Sequence, residues 1–252
     1  MRDELARLAR EVAEALRAEA ASSGSACALP PRASPRALPP EDLVEDIAMR
    51  VRACTRCDLC RGRRNAVPGE GSPRAPLLLV GEAPGEDEDR QGRPFVGRAG
   101  ELLTKMLAAI SVRREEVFIA NVLKCRPPGN RDPAPEEIAA CRDYLTAQIA
   151  AIRPAIILTL GRVPARLLLD TPMGILSLRG KPRPFAYPGG TATLFPTLHP
   201  AYLLRNPAAK RDVWDDLKEV HRLLREFTGD WPPPIPARAA AESPAPPPAA
   251  GS

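Results

Sequence analysis

The stretch PLLLVGEAPGEDEDRQGRPFVGRAG, residues 76–100, decides the fold of this chain. It opens with an uninterrupted apolar run, which is typical of a parallel strand buried on both faces of a sheet. Gly81 and Gly85 follow the run closely, and glycine permits tight turns and the close approach of a ligand to the backbone. A buried strand that leads into a glycine-rich turn predicts an α/β sheet with a binding site at the strand end.

Three more apolar runs predict the remaining strands of this sheet. They cover residues 117–123, 155–160 and 193–198, and segments of helical periodicity lie between them. Pro196 cannot donate to a strand ladder, so we expect the last strand near an edge, or the proline at the end of its strand. The alternation predicts the α/β class, a three-layer α/β/α fold with a central, mostly parallel four-stranded sheet.

Composition divides the chain into four parts. Residues 1–20 predict an amphipathic helix, and residues 21–40 a disordered linker rich in proline, alanine and serine. Residues 41–228 hold the predicted strands and form the folded domain. Residues 229–252 predict a disordered Pro/Ala tail.

Charge and hydropathy indicate whether the chain could bind a polyanion or enter a membrane. The 252-residue chain carries a net charge of +5, which permits binding to a polyanion without requiring it. No apolar run reaches the roughly eighteen residues of a membrane span, and the charged N-terminus lacks the apolar core of a signal peptide. We therefore expect a cytoplasmic protein with no membrane partner, and we expect it to be a monomer.

Four cysteines fall into two groups that suit a metal centre. Cys54 and Cys57 form a C-x-x-C pair, and Cys125 and Cys141 follow far downstream. Thiolates hold zinc or iron–sulfur clusters, and this spacing alone leaves both open, beside the alternative of ordinary buried thiols. Cys60 extends the first pair to C-x-x-C-x-x-C, so the choice of ligands within it also stays open.

Polar and aromatic residues are expected together at the carboxyl ends of the strands. Glu82 follows the first predicted strand, Asn121 lies in the second, and His199 follows the fourth. Phe95, between two glycine-rich turns, could stack on a planar ring, with core packing as the alternative. The Asn121 amide could donate and accept together, as the edge of a pyrimidine requires, or could serve a turn.

The acidic run that follows Gly85 argues against a nucleotide triphosphate. Its carboxylates would repel phosphate, and no G-K-[ST] follows the glycines. The run is more consistent with a neutral ligand and one carboxylate placed to hold a water molecule. We interpret Glu86, Asp87 and Asp89 as a solvated loop.

The segment HPAYLLRNP, residues 199–207, predicts a short helix that starts at Pro200. Leu203 and Leu204 are candidates to wedge into a nucleic-acid groove, with core packing as the alternative for one of them. Arg205 is a candidate phosphate contact.

These segments together resemble the family 4 uracil-DNA glycosylases, the iron–sulfur type. The resemblance covers about residues 50–225, nearly the whole predicted body, and its motifs are specific in combination. The matching pieces, in chain order, are CTRC at 54–57, VGEAPGEDED at 80–89, GRPFVGRAG at 92–100, NVLKCRPPGNR at 121–131, Cys141 and HPAYLLRNP at 199–207.

The resemblance implies the fold, the reaction and the cofactor. It implies a three-layer α/β/α enzyme that acts on uracil-containing DNA, hydrolyses the N-glycosidic bond of a flipped uracil and leaves an abasic site. It also implies a structural [4Fe–4S] cluster on Cys54, Cys57, Cys125 and Cys141. Cys60 is additional to this set.

The resemblance also assigns roles to the strand-end residues. It implies that Phe95 stacks on the flipped uracil, that Asn121 reads its edge and that His199 stabilises the departing uracil anion. Glu82 and the backbone near Ala83 would line the pocket.

Three questions stay open at the level of sequence. Either Glu82 or Glu88 could position the attacking water. The metal centre could hold zinc in place of iron and sulfur. A non-catalytic nucleic-acid-binding module with a structural metal would keep the cysteines and basic surface, although the combination of strand-end residues favours an enzyme.

Overall fold

The computed structural model describes residues 38–235. The predicted N-terminal helix, the linker up to residue 37 and the tail beyond residue 235 lie outside the described residues. Across the span from 38 to 235, no helix is both long enough and apolar enough to cross a membrane.

The sheet contains the four predicted strands and two further strands. The strands are β1 (Glu70–Gly71), β2 (Leu77–Gly81), β3 (Phe118–Asn121), β4 (Ile156–Leu160), β5 (Arg183–Tyr187) and β6 (Gly190–Thr197). Their order is β1-β3-β2-β4-β6-β5, with the inner four parallel and the two edge strands antiparallel to their neighbours. The α/β class and the mostly parallel sheet are confirmed, and the strand count rises from four to six.

Both additional strands lack the signal that revealed the inner four. β1 has only two residues, and β5 alternates half-buried with exposed positions around Pro184. The pairing of β5 with β6 ends at Leu194, so Pro196 lies beyond the ladder on that side of its strand. The proline is therefore tolerated near the end of β6, as expected.

Helices cover both faces of the sheet. They are α1 (Pro40–Arg52), α2 (Leu59–Gly62), α3 (Glu86–Gln91), α4 (Arg98–Ala109), α5 (Pro135–Ile152), α6 (Arg162–Leu169), α7 (Ile175–Leu178), α8 (Pro200–Arg205) and α9 (Lys210–Thr228). Leu77 and Leu79 pack in one core with residues of α4 and α9. Leu78 and Val80 pack in the other core with residues of α1 and α5. This alternation along β2 explains why a strand buried on both faces reads as continuous apolar sequence.

The strand register brings the segments singled out from the sequence to one edge. Gly81 pairs with Asn121, so β2 and β3 end side by side. Leu160 pairs with Thr197, so β4 and β6 also end together, two residues before His199. The carboxyl ends of the four parallel strands therefore form one rim, where α/β sheets bind their ligands.

The folded body extends beyond the predicted boundary at residue 228. Trp231 and Ile235 pack against the core that contains α9. The Pro233 carbonyl lies 2.8 Å from His221 Nε2, and the Pro234 carbonyl accepts a hydrogen bond from Ser111 Oγ at 3.1 Å. The packing of this segment could not be predicted from composition, because a proline-rich stretch with a single tryptophan is typical of a disordered tail.

Candidate active site

A cavity of about 460 Å³ opens at the rim of the sheet. Its wall combines the loop after β2, the end of β3, the loop after β3 and the start of α8. The residues singled out from the sequence that line it are Glu82, Ala83, Glu88, Phe95, Asn121, His199 and Arg205.

Phe95 is held in a conformation that few residues adopt. Its φ is 52°, in the left-handed region, and the residue is 6% exposed. A Cβ on Gly100 would lie 1.8 Å from the Phe95 carbonyl oxygen, so only glycine lets α4 pack this closely. The Phe95 ring lies 5.6 Å from the His199 ring, centroid to centroid. Local strain of this kind clusters at functional sites.

The Glu88 carboxylate holds the loop that carries Phe95. Its Oε1 accepts hydrogen bonds from the backbone N–H groups of Val96 at 2.9 Å and Gly97 at 3.1 Å. Its Oε2 accepts one from the Gly85 N–H at 3.1 Å. These three bonds occupy both oxygens and connect the start of α3 to the segment that carries Phe95.

The acidic run is a helix rather than the solvated loop that we expected. It forms α3, and its four acidic residues stand in the first turn, where carboxylates favour the positive end of the helix dipole. The prediction was wrong for Asp89, which is 4% exposed and accepts a hydrogen bond from the Arg64 N–H at 2.9 Å. A buried carboxylate that bonds to the backbone of a segment far away in the sequence produces no periodic pattern, so the sequence could not reveal it.

Asn121 ends β3 with its side chain in the cavity wall. It is 1% exposed, and its Oδ1 has no hydrogen-bond partner among the described residues. A Cβ on Gly81 would lie 2.3 Å from this oxygen and 2.6 Å from the Phe95 ring. Gly81 therefore gives the amide and the ring their space. A buried polar atom without a partner costs free energy, which a ligand donor could recover.

His199 has one ring nitrogen fixed by its own helix. It is the N-cap of α8, and its Nδ1 accepts a hydrogen bond from the Ala201 N–H at 3.1 Å. Burial, together with the positive charge of Arg205, lowers the pKa of His199 to about 4. The ring is therefore neutral at pH 7, and since Nδ1 accepts, the proton resides on Nε2. The cavity thus contains a neutral N–H donor.

Glu82 is the carboxylate with free oxygens. Its backbone carbonyl accepts a hydrogen bond from the Leu123 N–H at 3.0 Å, which fixes the residue beside the end of β3. Within residues 38–235 its carboxylate has no hydrogen-bond partner. Burial and the nearby charge of Asp132 raise the pKa of Glu82, against an opposing effect of Arg162.

The short helix α8 separates its two leucines. Leu203 is 1% exposed and packs in the core, so the prediction that it contacts DNA was wrong. Leu204 is 42% exposed, and Tyr202 is 38% exposed on the cavity wall. A six-residue helix on the sheet rim buries one side and exposes the other, and the adjacent leucines fall on different sides.

The loop after β3 supplies lining residues that the sequence did not single out for the pocket. Asn130, Arg131 and Asp132 form an exposed rim, and Asp132 pairs with Arg162 at the start of α6. Irregular loops carry no periodicity from which such a position could be inferred. The nearby charges show that this rim influences Glu82.

The four cysteines lie close enough to affect one another. Burial raises the pKa of the Cys57 and Cys125 thiols, and the charges of neighbouring cysteines add to it in both cases. Burial likewise raises the pKa of Cys141 to about 11, with Cys125 and Cys57 contributing. Cys54 and Cys60 are also free thiols.

Two donors point at sulfur atoms in this group. Arg63 Nη1 donates to Cys125 Sγ at 3.1 Å, and the Lys124 N–H donates to Cys141 Sγ at 3.3 Å. No described set of three or more ligands converges on a single ion. A four-iron cluster binds each thiolate at a different iron, so its ligands surround a larger volume. The absence of a single-ion site among the described residues is thus compatible with a cluster. The N–H donors on the Cys125 and Cys141 sulfurs would also stabilise thiolate ligands.

Comparison with known proteins agrees with this geometry. The family model described as "Uracil DNA glycosylase superfamily" matches residues 68–218. The chain is 47% identical over 199 residues to the "Type-4 uracil-DNA glycosylase" of Sulfurisphaera tokodaii, which covers 75% of this chain and 90% of the relative.

Two further relatives carry the same description. That of Archaeoglobus fulgidus is 45% identical over 184 residues, with 71% of this chain and 92% of the relative covered. That of Thermotoga maritima is 44% identical over 189 residues, with 74% and 97% covered. The resemblance seen in the sequence is thereby confirmed, and the chain belongs to the uracil-DNA glycosylase superfamily.

Proposed function

We propose that this protein is a DNA-repair uracil-DNA glycosylase that excises uracil from DNA by hydrolysis and leaves an abasic site. The observation that carries the proposal is the Asn121 Oδ1, which has no hydrogen-bond partner within residues 38–235, in a cavity that also contains Phe95 and a neutral His199. The 44–47% identity to the type-4 enzymes over most of the chain supports the same activity.

Uracil fits this arrangement by its hydrogen-bonding pattern. The uracil N3–H is a donor and the adjacent O4 is an acceptor, so the Asn121 amide can accept from the first and donate to the second. The Phe95 ring can stack on the planar base. Since the base is inaccessible within a duplex stack, it must first rotate out of the helix into the cavity.

The bond cleavage needs a hydrogen-bond donor where negative charge develops. As the bond between C1′ and N1 breaks, its electron pair moves into the uracil ring and the sugar gains oxocarbenium character. The His199 Nε2–H can donate to uracil O2 as the charge appears there, and a preorganised donor of this kind favours the transition state over the substrate.

Glu82 suits the water-positioning role better than Glu88. The Glu88 oxygens already accept three backbone hydrogen bonds, whereas those of Glu82 are free within the described residues. An ionised Glu82 can accept a hydrogen bond from water and favour the cationic sugar. The water oxygen then bonds to C1′, and its proton passes to the carboxylate or to solvent.

We also propose that Cys54, Cys57, Cys125 and Cys141 hold a [4Fe–4S] cluster. The cluster would supply cross-linking rather than catalysis, because it would join the segment between α1 and α2 to the loop after β3 and to α5. The Arg63 and Lys124 donors would offset thiolate charge.

The exposed side of α8 is the proposed DNA contact. Leu204 would occupy the space left in the stack by the flipped base, and Arg205 would meet a phosphate. We also propose that the protein acts as a monomer. The substrate leads us to propose the DNA-containing cytoplasm of a prokaryotic cell as its location.

The direct test is uracil release from an oligonucleotide that contains one uracil, detected as alkali-labile strand cleavage. We expect cleavage at the uracil and none in a matched thymine strand. Asn121→Ala should retain its fold and lose most of this cleavage. Binding of the uracil strand without cleavage by folded wild-type protein would instead identify a non-catalytic binding module.

A further inference from the structure

A lysine that none of the proposed steps uses lies directly behind the uracil site. Lys124 follows β3 by three residues and is 1% exposed. Its Nζ donates to the Asn121 backbone carbonyl at 2.8 Å and to Gln148 Oε1 at 2.7 Å. A buried amine is costly unless it is hydrogen-bonded, and here two acceptors satisfy it. The side chain thus folds back towards the residue that ends the strand.

The contacts of Lys124 connect three parts of the molecule. Its side chain meets Gln148 in α5, whose Nε2 donates in turn to the Pro68 carbonyl at 2.7 Å. Its backbone N–H donates to Cys141 Sγ, and its carbonyl accepts from the Val67 N–H at 2.8 Å.

Asn121 needs such support. The last paired residues of the sheet here are Gly81 and Asn121, so the backbone leaves regular structure at the functional residue. The Asn121 Oδ1 has no partner within the described part of the chain, so protein hydrogen bonds do not orient this oxygen. The direction of the amide then depends on how firmly its own peptide is held, and the Lys124 bond acts on that peptide.

We infer that Lys124 is a positioning residue for uracil recognition, which fixes the Asn121 peptide and thereby aims the Asn121 amide at the base. This inference rests on the proposed function, because it assigns Lys124 an effect through Asn121. A hydrogen bond that holds a recognition group within a fraction of an ångström affects rate more than affinity for the bulk of the DNA.

A double-mutant cycle separates positioning from general support of the fold. Lys124→Met keeps the length of the stem and removes both donations, and it is made in the wild type and in Asn121→Ala. We expect the single-turnover rate of uracil release to fall about 10–100-fold in the first background and less than about 2-fold in the second. A purely structural role would lower the rate equally in both, and equal losses would overturn the inference.

Controls make the cycle interpretable. Gln148→Met removes the other acceptor but keeps the bond from Lys124 to Asn121, so it should change the rate less than about 3-fold at a comparable thermal shift. Iron content and affinity for an abasic-site oligonucleotide should stay near wild type in Lys124→Met. If that variant does not fold, Lys124→Leu, which also lacks a donor, replaces it in the same cycle.

The remaining outcomes are also decisive. No release by folded wild-type protein would refute the proposed function. If the wild type releases uracil and Asn121→Ala does so at the same rate, the role of Asn121 is refuted, and with it the role of Lys124. A slow Asn121→Ala beside a fully active Lys124→Met would refute the role of Lys124 alone.

Discussion

At the scale of single residues, the role proposed for His199 depends on its place at a helix start and on its burial. A free histidine has a pKa near 6.5 and two interchangeable tautomers. Here the Ala201 N–H occupies Nδ1, and burial with the Arg205 charge lowers the pKa to about 4. Burial and the Arg205 charge therefore favour the neutral form, and the helix cap selects the tautomer. A neutral N–H donor can stabilise the negative charge that develops on uracil during bond cleavage, and it carries no charge that would attract other anions before the reaction.

His199→Ala should reduce the single-turnover rate of uracil release by about 10²–10³-fold, as loss of one oxyanion donor does elsewhere. Affinity for an abasic-site oligonucleotide should change little, because the helix and its exposed residues remain. His221→Ala is the matched control, since His221 lies on α9 and contacts the Pro233 carbonyl outside the cavity. Equal rates for the two variants would exclude His199 from the reaction.

Glu82 predicts the acid limb of the pH profile. Burial and Asp132 raise its pKa above the usual 4.5, and the ionised form is the one that holds water. The value of kcat/KM should therefore fall tenfold per pH unit below this raised pKa. The slope should steepen near pH 4, where His199 takes up its proton. Folding across the range is checked by tryptophan fluorescence.

The Glu82→Gln variant isolates this limb. We expect it to lose about 10²-fold or more in rate at pH 7 and to show no limb above the His199 titration. It should also melt at a higher temperature, because the folded state no longer contains a desolvated carboxylate whose pKa is raised. An unchanged acid limb in the variant would assign that limb to another group.

At the scale of elements, neighbouring residues of α8 have different environments: Leu203 is buried in the core, and Leu204 is the exposed residue proposed to contact DNA. Leu203→Ala should cost about 2–5 kcal/mol of folding stability, because it leaves a cavity in the core. Leu204→Ala should leave the melting temperature within about 2 °C, since the side chain is 42% exposed.

Leu204→Ala also tests whether this side chain fills the space left in the stack by the flipped base. Leu204→Ala should slow release from double-stranded DNA about tenfold and from single-stranded DNA much less, because only a duplex stack must be opened. The comparison needs both substrates under single-turnover conditions. Equal slowing on both substrates would move Leu204 from the wedge to a general contact.

The elements also show which parts of the fold could be predicted from the sequence. The four inner strands were predictable because each contains a buried apolar run, which in β6 is confined to its second half. Their order along the chain placed Glu82, Asn121 and His199 on one rim. The edge strands were missed because exposure on one side breaks the apolar run. The sequence could not decide whether Glu82 or Glu88 positions the water. The structure favours Glu82 because three backbone N–H groups, of Gly85, Val96 and Gly97, already bond to the Glu88 carboxylate, and sequence spacing does not reveal such bonds.

At the scale of the whole molecule, the proposed cluster would join segments that lie far apart in the sequence. Cys54 and Cys57 lie between α1 and α2, Cys125 lies after β3, and Cys141 lies in α5. The proposed uracil site is close to this group in the sequence, because Cys125 is only four residues beyond Asn121. We expect loss of the cluster to free the segment that follows Asn121, the residue proposed to recognise uracil.

Cys125→Ser should therefore lower iron content and stability together, because metal-binding free energy is also folding free energy. We expect about four irons per chain in the wild type, and loss of most of this iron in the variant together with a melting temperature lower by roughly 10 °C or more. Cys60→Ser is the matched control and should keep its iron, since Cys60 lies outside the proposed ligand set. Iron and sulfide analysis with visible absorbance measures the first effect, and thermal unfolding the second. Iron retained by Cys125→Ser but lost from Cys60→Ser would place Cys60 in the ligand set, and zinc in the wild type would replace the cluster with a structural ion.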